Sequence, residues 1–248
     1  MKHTNQRAVS WLEKKLYAAE DGWVDGTTQF HAMCRDAVNA RRGEGPAKIL
    51  EVGAGPSNRT SRFLKTLGEV HGVDVDPEVL KNDALSGAHV VTNDNYPFSA
   101  QTFDLCVSNF VIEHVESPST HFREIFRVLK PGGRYVFRTP NLFHYVAATS
   151  RLTPQWFHVL VANRLRDLPV DAHDPWPTHY AANTPAAIRR FAGEAGFKVH
   201  QLDVVEKEPS YGRGFAPLYA ALAVYERAVN STQVLEPLRS TVFGSLER

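Results

Sequence analysis

The chain has 248 residues, 43% of them hydrophobic, and its 28 Lys+Arg against 27 Asp+Glu give a formal net charge of +1. That is apolar material for one α/β domain with additions, and balanced charge with no long block of one sign argues against a binder of nucleic-acid backbones. No run reaches the roughly 20 apolar residues of a membrane span, the first 20 residues lack a secretory apolar core, and Cys34 and Cys106 read as buried thiols rather than metal or redox pairs, so a cytoplasmic protein is expected.

Trp11, Leu12 and Leu16 predict a first helix. Phe30, Met33, Cys34, Ala37 and Val38 follow the spacing of a second amphipathic one, closed by Gly43, Gly45 and Pro46. From Lys48 short apolar runs alternate with helical spacing: "KILEV", a helix through Thr60, Phe63, Leu64 and Leu67, "EVHGVDV", a short helix from Pro77, and "HVV". The series continues with "FDLCVSNF", a helix marked by Phe122, Ile125, Phe126 and Leu129, and "RYVFRTP" after a Pro-Gly-Gly turn. This βαβα order implies a parallel sheet. Residues 141–183, rich in aromatic, His and Pro residues, read as an insertion. Thr184 and Pro185 open a helix that Gly196 stops, and "FKVHQLDVVE" supplies a sixth strand. Residues 217–230 read as helix, and "STVFGSL" as a candidate seventh strand. The expected organisation is a helical cap over 1–46 and an α/β domain over 47–248, with the insertion at 141–183 and a helical excursion at 209–239.

In open parallel sheets ligands bind beyond the carboxyl ends of the strands. The first strand ends at Glu51-Val52 and breaks into Gly53-Ala54-Gly55, where glycine permits turns and close approach closed to other residues. A glycine turn alone is a weak signal, but two acids support it. Asp74 closes the second strand about 20 residues on, placed to accept hydrogen bonds from a ribose. Asp94 follows the third strand, in position for an adenine amine. The turn carries Asn58 where a dinucleotide motif has its last glycine, which disfavours a pyrophosphate, and Glu51 suits a ligand bearing an ammonium. S-adenosylmethionine has that group and no phosphate.

These motifs together resemble the class I S-adenosylmethionine-dependent methyltransferases, strongly over 47–140 and more loosely over 178–248. "EVGAG" resembles their first-loop motif, "FDLCVSNFVIEHV" the fourth-strand motif and "LKPGGRYVFRTPN" the fifth. The resemblance implies a Rossmann-like, seven-stranded, mostly parallel sheet with helices on both faces and an antiparallel last strand between strands five and six. It implies a cofactor site of Glu51, Gly53, Ala54, Gly55, Asp74 and Val75. Asp94 or Asn95 would meet the adenine, and Asn109 and Phe110 would border the sulfonium.

Methyl transfer to a hydroxyl is helped by a base, and imidazole suits neutral pH. His114 beyond strand four is the first candidate, against the plainer reading of a loop that supports the pocket. His144, His179 and Tyr180 lie in or beside the aromatic insertion with Tyr145, His173, Asp174 and Trp176, where a packed lid is the alternative. A metal at His173, Asp174 and His179 is disfavoured, because loop spacing fixes no geometry. "DGWVDGTTQF" is either a lid or a connector. The acceptor expected is a small molecule or glycan, methylated at oxygen, with nitrogen or carbon as alternatives. A cofactor-binding module without turnover is a further reading, and homodimerisation through the 217–230 helix is left open. A nicotinamide oxidoreductase is opposed by Asn58 and Glu51, and a nucleic-acid methyltransferase by the lack of a basic surface signal and of a base-flipping motif.

Overall fold

A computed structural model describes residues 2–18, 22–41, 43–92, 95–147, 177–207, 209 and 212–248. Asp94, His173, Asp174 and Trp176 lie outside the described residues.

Seven strands form one sheet: β1 Ala47–Val52, β2 Gly68–Asp74, β3 Gly87–Val90, β4 Phe103–Asn109, β5 Leu129–Pro140, β6 Lys198–Val205 and β7 Thr241–Glu247. Their order is β3-β2-β1-β4-β5-β7-β6. The pairs β1–β2, β1–β4, β2–β3 and β4–β5 are parallel, while β7 runs antiparallel between β5 and β6, as the resemblance implies. The helices are α1 Lys2–Leu16, α2 Gly26–Asn39, α3 Arg59–Lys65, α4 Pro118–Val128, α5 Pro185–Ala195 and α6 Ala216–Asn230, with short 3-10 turns at Pro77–Lys81, Ile112–His114 and Gln233–Leu238.

The central strands are apolar nearly throughout because helices cover both faces. In β4 the residues from Phe103 to Ser108 are all buried. The register aligns the strand ends: Val52 pairs with Val73 and with Ser108, and Asn109 with Arg138. The chain runs outward through β2 and β3, then returns to place β4 on the other side of β1. That reversal makes the carboxyl ends of β1 and β4 the switch point where a crevice forms.

Several element boundaries differ from the sequence reading, among them α3, which ends at Lys65, short of Leu67. Leu129, expected on the helical stripe, opens β5, and its side chain is fully buried in either role. Val75 lies just past β2, 51% exposed, since the strand ends where Asp74 turns its carboxylate to the main chain. Thr184 caps α5 by accepting from Ala187 N–H, and Gly196 closes it in the left-handed region (φ 99°), as expected.

The chain divides into two compact units. One comprises Met1–Thr28, Asn141–Pro177 and Val204–Thr241; the other comprises Gln29–Pro140, Thr178–Asp203 and Val242–Arg248. The segment 1–46 is therefore shared between them. In the first unit α1 pairs with α6: Asn5 accepts from Ala216 N–H at 2.7 Å and donates to the Gly214 carbonyl at 3.0 Å, so one amide caps the helix start. Tyr17 stacks edge-on against Trp23 and Tyr219. The second unit holds the parallel strands and all the cofactor-side candidates that the structure describes. No described helix is long and apolar enough to cross a membrane.

Candidate active site

β1 ends in a turn that only glycine permits. Gly53 has φ 69°, and a Cβ there would stand 2.3 Å from Val111 Cγ2. The N–H groups of Gly53 and Ala54 both donate to the Val73 carbonyl, at 2.9 and 3.3 Å, folding the turn onto the end of β2. Gly55, at φ 50°, donates its N–H to Asp74 Oδ2 at 2.8 Å, while Asp74 Oδ1 accepts from Asp76 N–H at 2.8 Å. A Cβ on Gly55 would meet nothing nearer than that carboxylate at 4.0 Å, so the approach to the turn is open. Buried Asn82 holds it from behind, donating to the Gly55 carbonyl at 3.1 Å and to Ser61 Oγ at 3.1 Å.

Asn58 explains why the turn is unsuited to a pyrophosphate. Its Oδ1 accepts from the N–H groups of Thr60 and Ser61, at 2.8 and 3.0 Å, capping α3. The donors that would cradle a phosphate are already occupied.

Glu51 is only 2% exposed, and its Oε2 has no hydrogen-bond partner. Burial pushes its carboxyl up to about 7; the Ser61 hydrogen bond opposes the rise and the charge of Asp74 adds to it. A buried carboxylate with an empty acceptor is costly unless a cation or donor reaches it. These acceptors therefore fit a ligand that brings an ammonium to the first loop and hydroxyls to Asp74.

At the neighbouring strand ends, Arg138 Nε donates to Asn109 Oδ1 at 2.6 Å, and Asn109 Nδ2 donates to Thr60 Oγ1 at 3.1 Å. This chain ties β5, β4 and α3 together. The Arg138 guanidinium lies 4.8 Å from the Phe110 ring and 5.1 Å from that of Phe30. Phe110 itself is 40% exposed and sits at φ 57°, its N–H bound to the Arg138 carbonyl at 2.9 Å. A bulky residue in that region is strained, as happens where a side chain must be aimed.

The acceptor-side candidates separate. His114, half-buried, and the exposed His179 belong to the second unit, where Glu113 between β4 and α4 takes the N–H groups of His179 and Tyr180 on its carbonyl, at 2.7 and 3.1 Å. Tyr180 adopts φ 51°. His144 belongs to the first unit, buried beside Tyr145 and Tyr225, with Nε2 facing Glu206 Oε2 at 3.4 Å. The two atoms lack hydrogen-bond alignment, and neither has another hydrogen-bond partner. Burial holds the imidazole down to about 4 and raises the Glu206 carboxyl to about 8; Ser240 and Arg239 oppose the latter, while Glu226 adds to it. Asn95 is exposed at the start of the segment leading to buried Tyr96. Among the described residues no group of three His, Cys, Asp or Glu side chains is arranged to hold a metal.

Sequence reasoning passed over Arg138, Glu113, Thr139, Asn183 and Glu206. Glu113 lay inside a quoted motif, and Arg138 inside a strand read only for its apolar residues.

A doubly wound sheet of this order, with acids closing β1 and β2 around a glycine turn, defines the Rossmann-like folds that take a nucleoside cofactor at the strand ends. Residues 50–137 match the family described as a methyltransferase domain. The ubiquinone/menaquinone biosynthesis C-methyltransferase UbiE of Haemophilus ducreyi is 31% identical over 112 residues, 40% of this chain and 42% of that protein. The chain spans about two fifths of the length of such UbiE relatives. In fold it is similar to the geranyl diphosphate C-methyltransferase of Streptomyces coelicolor, solved with S-adenosyl-L-homocysteine: TM-score 0.54, 14% identity, 88% of this chain and 78% of that one. It is equally similar to the [4+2]-cyclase SpnF: TM-score 0.54, 15% identity, 98% and 96% covered. Over residues 50–137 the chain carries a methyltransferase domain, its fold is that of the class I methyltransferases, and S-adenosylmethionine is the cofactor implied.

Proposed function

We propose that this protein transfers a methyl group to a small-molecule or glycan acceptor, at oxygen. The observation that carries the reading is the buried Glu51 carboxyl with its empty Oε2, at the mouth of a turn locked to Asp74. Glu51 would receive the ammonium of the cofactor, Asp74 its ribose hydroxyls, and Asp94 or Asn95 its adenine; Gly53, Ala54, Gly55 and Val75 complete that side. When bound, S-adenosylmethionine supplies an electrophilic methyl on a sulfonium. The chain's own task is alignment and proton removal. Asn109 and Phe110 would border the reacting centre, and His114 or His179, both in the unit that carries the cofactor turn, would take the acceptor proton. Tyr180 would line the acceptor.

Carbon methylation is the second reading, favoured by the naming of UbiE relatives as C-methyltransferases. The SpnF likeness supports keeping a third, in which the cofactor fold serves without methyl turnover.

The test is transfer of radiolabelled methyl from S-adenosylmethionine into a fractionated extract of the source organism, with Asp74→Ala as control. Label in a small-molecule or glycan fraction that hot hydriodic acid releases as methyl iodide supports the reading, and label that resists it favours carbon methylation. Label in protein or nucleic acid overturns the acceptor class, and absence of label despite cofactor binding favours the third reading.

A further inference from the structure

Glu113 stands in the 3-10 turn directly beyond β4 and is 5% exposed. Both of its ends are engaged with one short segment. Its main-chain carbonyl accepts from His179 and Tyr180 N–H, at 2.7 and 3.1 Å. Its Oε2 accepts the Thr139 hydroxyl at 2.9 Å, and Thr139 Oγ1 in turn accepts from Asn183 Nδ2 at 2.7 Å. Asn183 Nδ2 also donates to the Pro140 carbonyl at 3.0 Å. The segment 179–183 is thus fixed at its start by the main chain of Glu113 and at its end by the side chain of the same residue.

Between those anchors the segment is tightly shaped. Ala182 is fully buried and Asn183 is 1% exposed, whereas His179 is exposed. Tyr180 is held at φ 51°, a left-handed conformation that is unfavourable for a residue with a Cβ. Such strain persists only where the surroundings over-determine it, and here the surroundings are the Glu113 circuit. Retaining a carboxyl at so buried a place is itself costly, and burial pushes it up to about 7. A loop needing only to be filled would be better served by an apolar side chain.

Resting on the methyl-transfer reading, we infer that Glu113 is a positioning residue: through the circuit Glu113–Thr139–Asn183 and its own carbonyl, it sets the segment that presents His179 and Tyr180 to the acceptor. The carboxyl acts by accepting the Thr139 hydrogen bond, a role that an amide oxygen can also fill.

The test compares Glu113→Ala, Glu113→Gln and Asn183→Ala in the full chain by three readouts: S-adenosylhomocysteine affinity, amide exchange at His179 and Tyr180 by NMR, and label transfer into the acceptor fraction. Glu113→Ala is expected to speed exchange at both amides by about tenfold or more as the segment opens locally. Label transfer should fall by as much as about 100-fold, the effect of a small misplacement, with S-adenosylhomocysteine affinity unchanged. Glu113→Gln should restore exchange protection and most of the transfer. Asn183→Ala, which opens the circuit at its far end, should reproduce the alanine phenotype and serves if Glu113→Ala does not fold. Unchanged exchange in both alanine variants overturns the circuit. A glutamine variant with full protection but no transfer also overturns it, by making the carboxylate a chemical participant. If the wild-type protein transfers no label, the methyl-transfer reading fails, and the exchange readout still decides whether Glu113 holds the segment.

Discussion

Gly55 N–H and Asp74 Oδ2 lie 2.8 Å apart, so the glycine turn after β1 and the acid that closes β2 form one structural unit. Substitution at Asp74 therefore acts twice, removing the acceptor proposed for the ribose and releasing the turn proposed for the methionine end. Asp74→Ala is expected to weaken S-adenosylhomocysteine binding by about 10- to 100-fold, corresponding to roughly 1.5–3 kcal/mol for hydrogen bonds to a charged group. Asp74→Asn keeps one oxygen and should fall between the two. Isothermal titration calorimetry reads both, and wild-type affinity in the alanine variant would remove Asp74 from the cofactor site.

Glu51 gives a sharper test, because its carboxyl titrates at about 7 while its Oε2 has no partner. A ligand ammonium brought close favours the ionised form and lowers that pKa. Near pH 6.5 a large share of Glu51 is protonated in the free protein, so cofactor binding should release a proton. Calorimetry in buffers of different ionisation enthalpy should show up to about three quarters of a proton released per site near that pH, with none in Glu51→Gln. Proton uptake, or equal release in both proteins, would place the ammonium elsewhere.

What the sequence disclosed and what it hid divide along chain distance. Glu51, Gly53, Gly55 and Asp74 stand on two consecutive strands and one turn, where spacing alone puts them together, and Asn58 announced by its identity that phosphate is unwelcome. The Glu113 circuit joins positions 113, 139 and 183, the last of these in a segment that reads only as an aromatic and His-rich insertion. No local period links those positions. The left-handed backbone at Phe110 and Tyr180 was equally hidden, since neither is a residue whose type advertises positive φ. His144 and His179 looked alike in the sequence as loop histidines. Folding buries the first against Glu206 and leaves the second exposed, because only the first precedes a tyrosine that packs edge-on against Tyr225 of α6.

The buried pair His144–Glu206 predicts an unusual pH dependence of stability. In the folded protein the carboxyl keeps its proton to about 8 and the imidazole stays neutral down to about 4, so the pair holds one proton across that range. Unfolded, the two groups titrate near the ordinary values of about 6.5 for His and about 4.3 for Glu. Between those values the unfolded chain also holds one proton on the two groups, and their contribution to stability is flat. Above about 6.5 the unfolded chain has lost its proton while the folded pair retains it, so stability falls as pH rises toward 8. Below about 4.3 the unfolded chain takes a second proton, and the folded pair takes its own near 4, so acid changes the pair's contribution little. Glu206→Gln removes the loss above 6.5, because the amide has no proton to keep. Relative to wild type it should gain roughly 1–2 kcal/mol in urea unfolding between pH 6 and pH 8. A constant difference between the two proteins across that interval would show that the folded pair holds no proton there, with Glu206 ionised and His144 neutral already at pH 6.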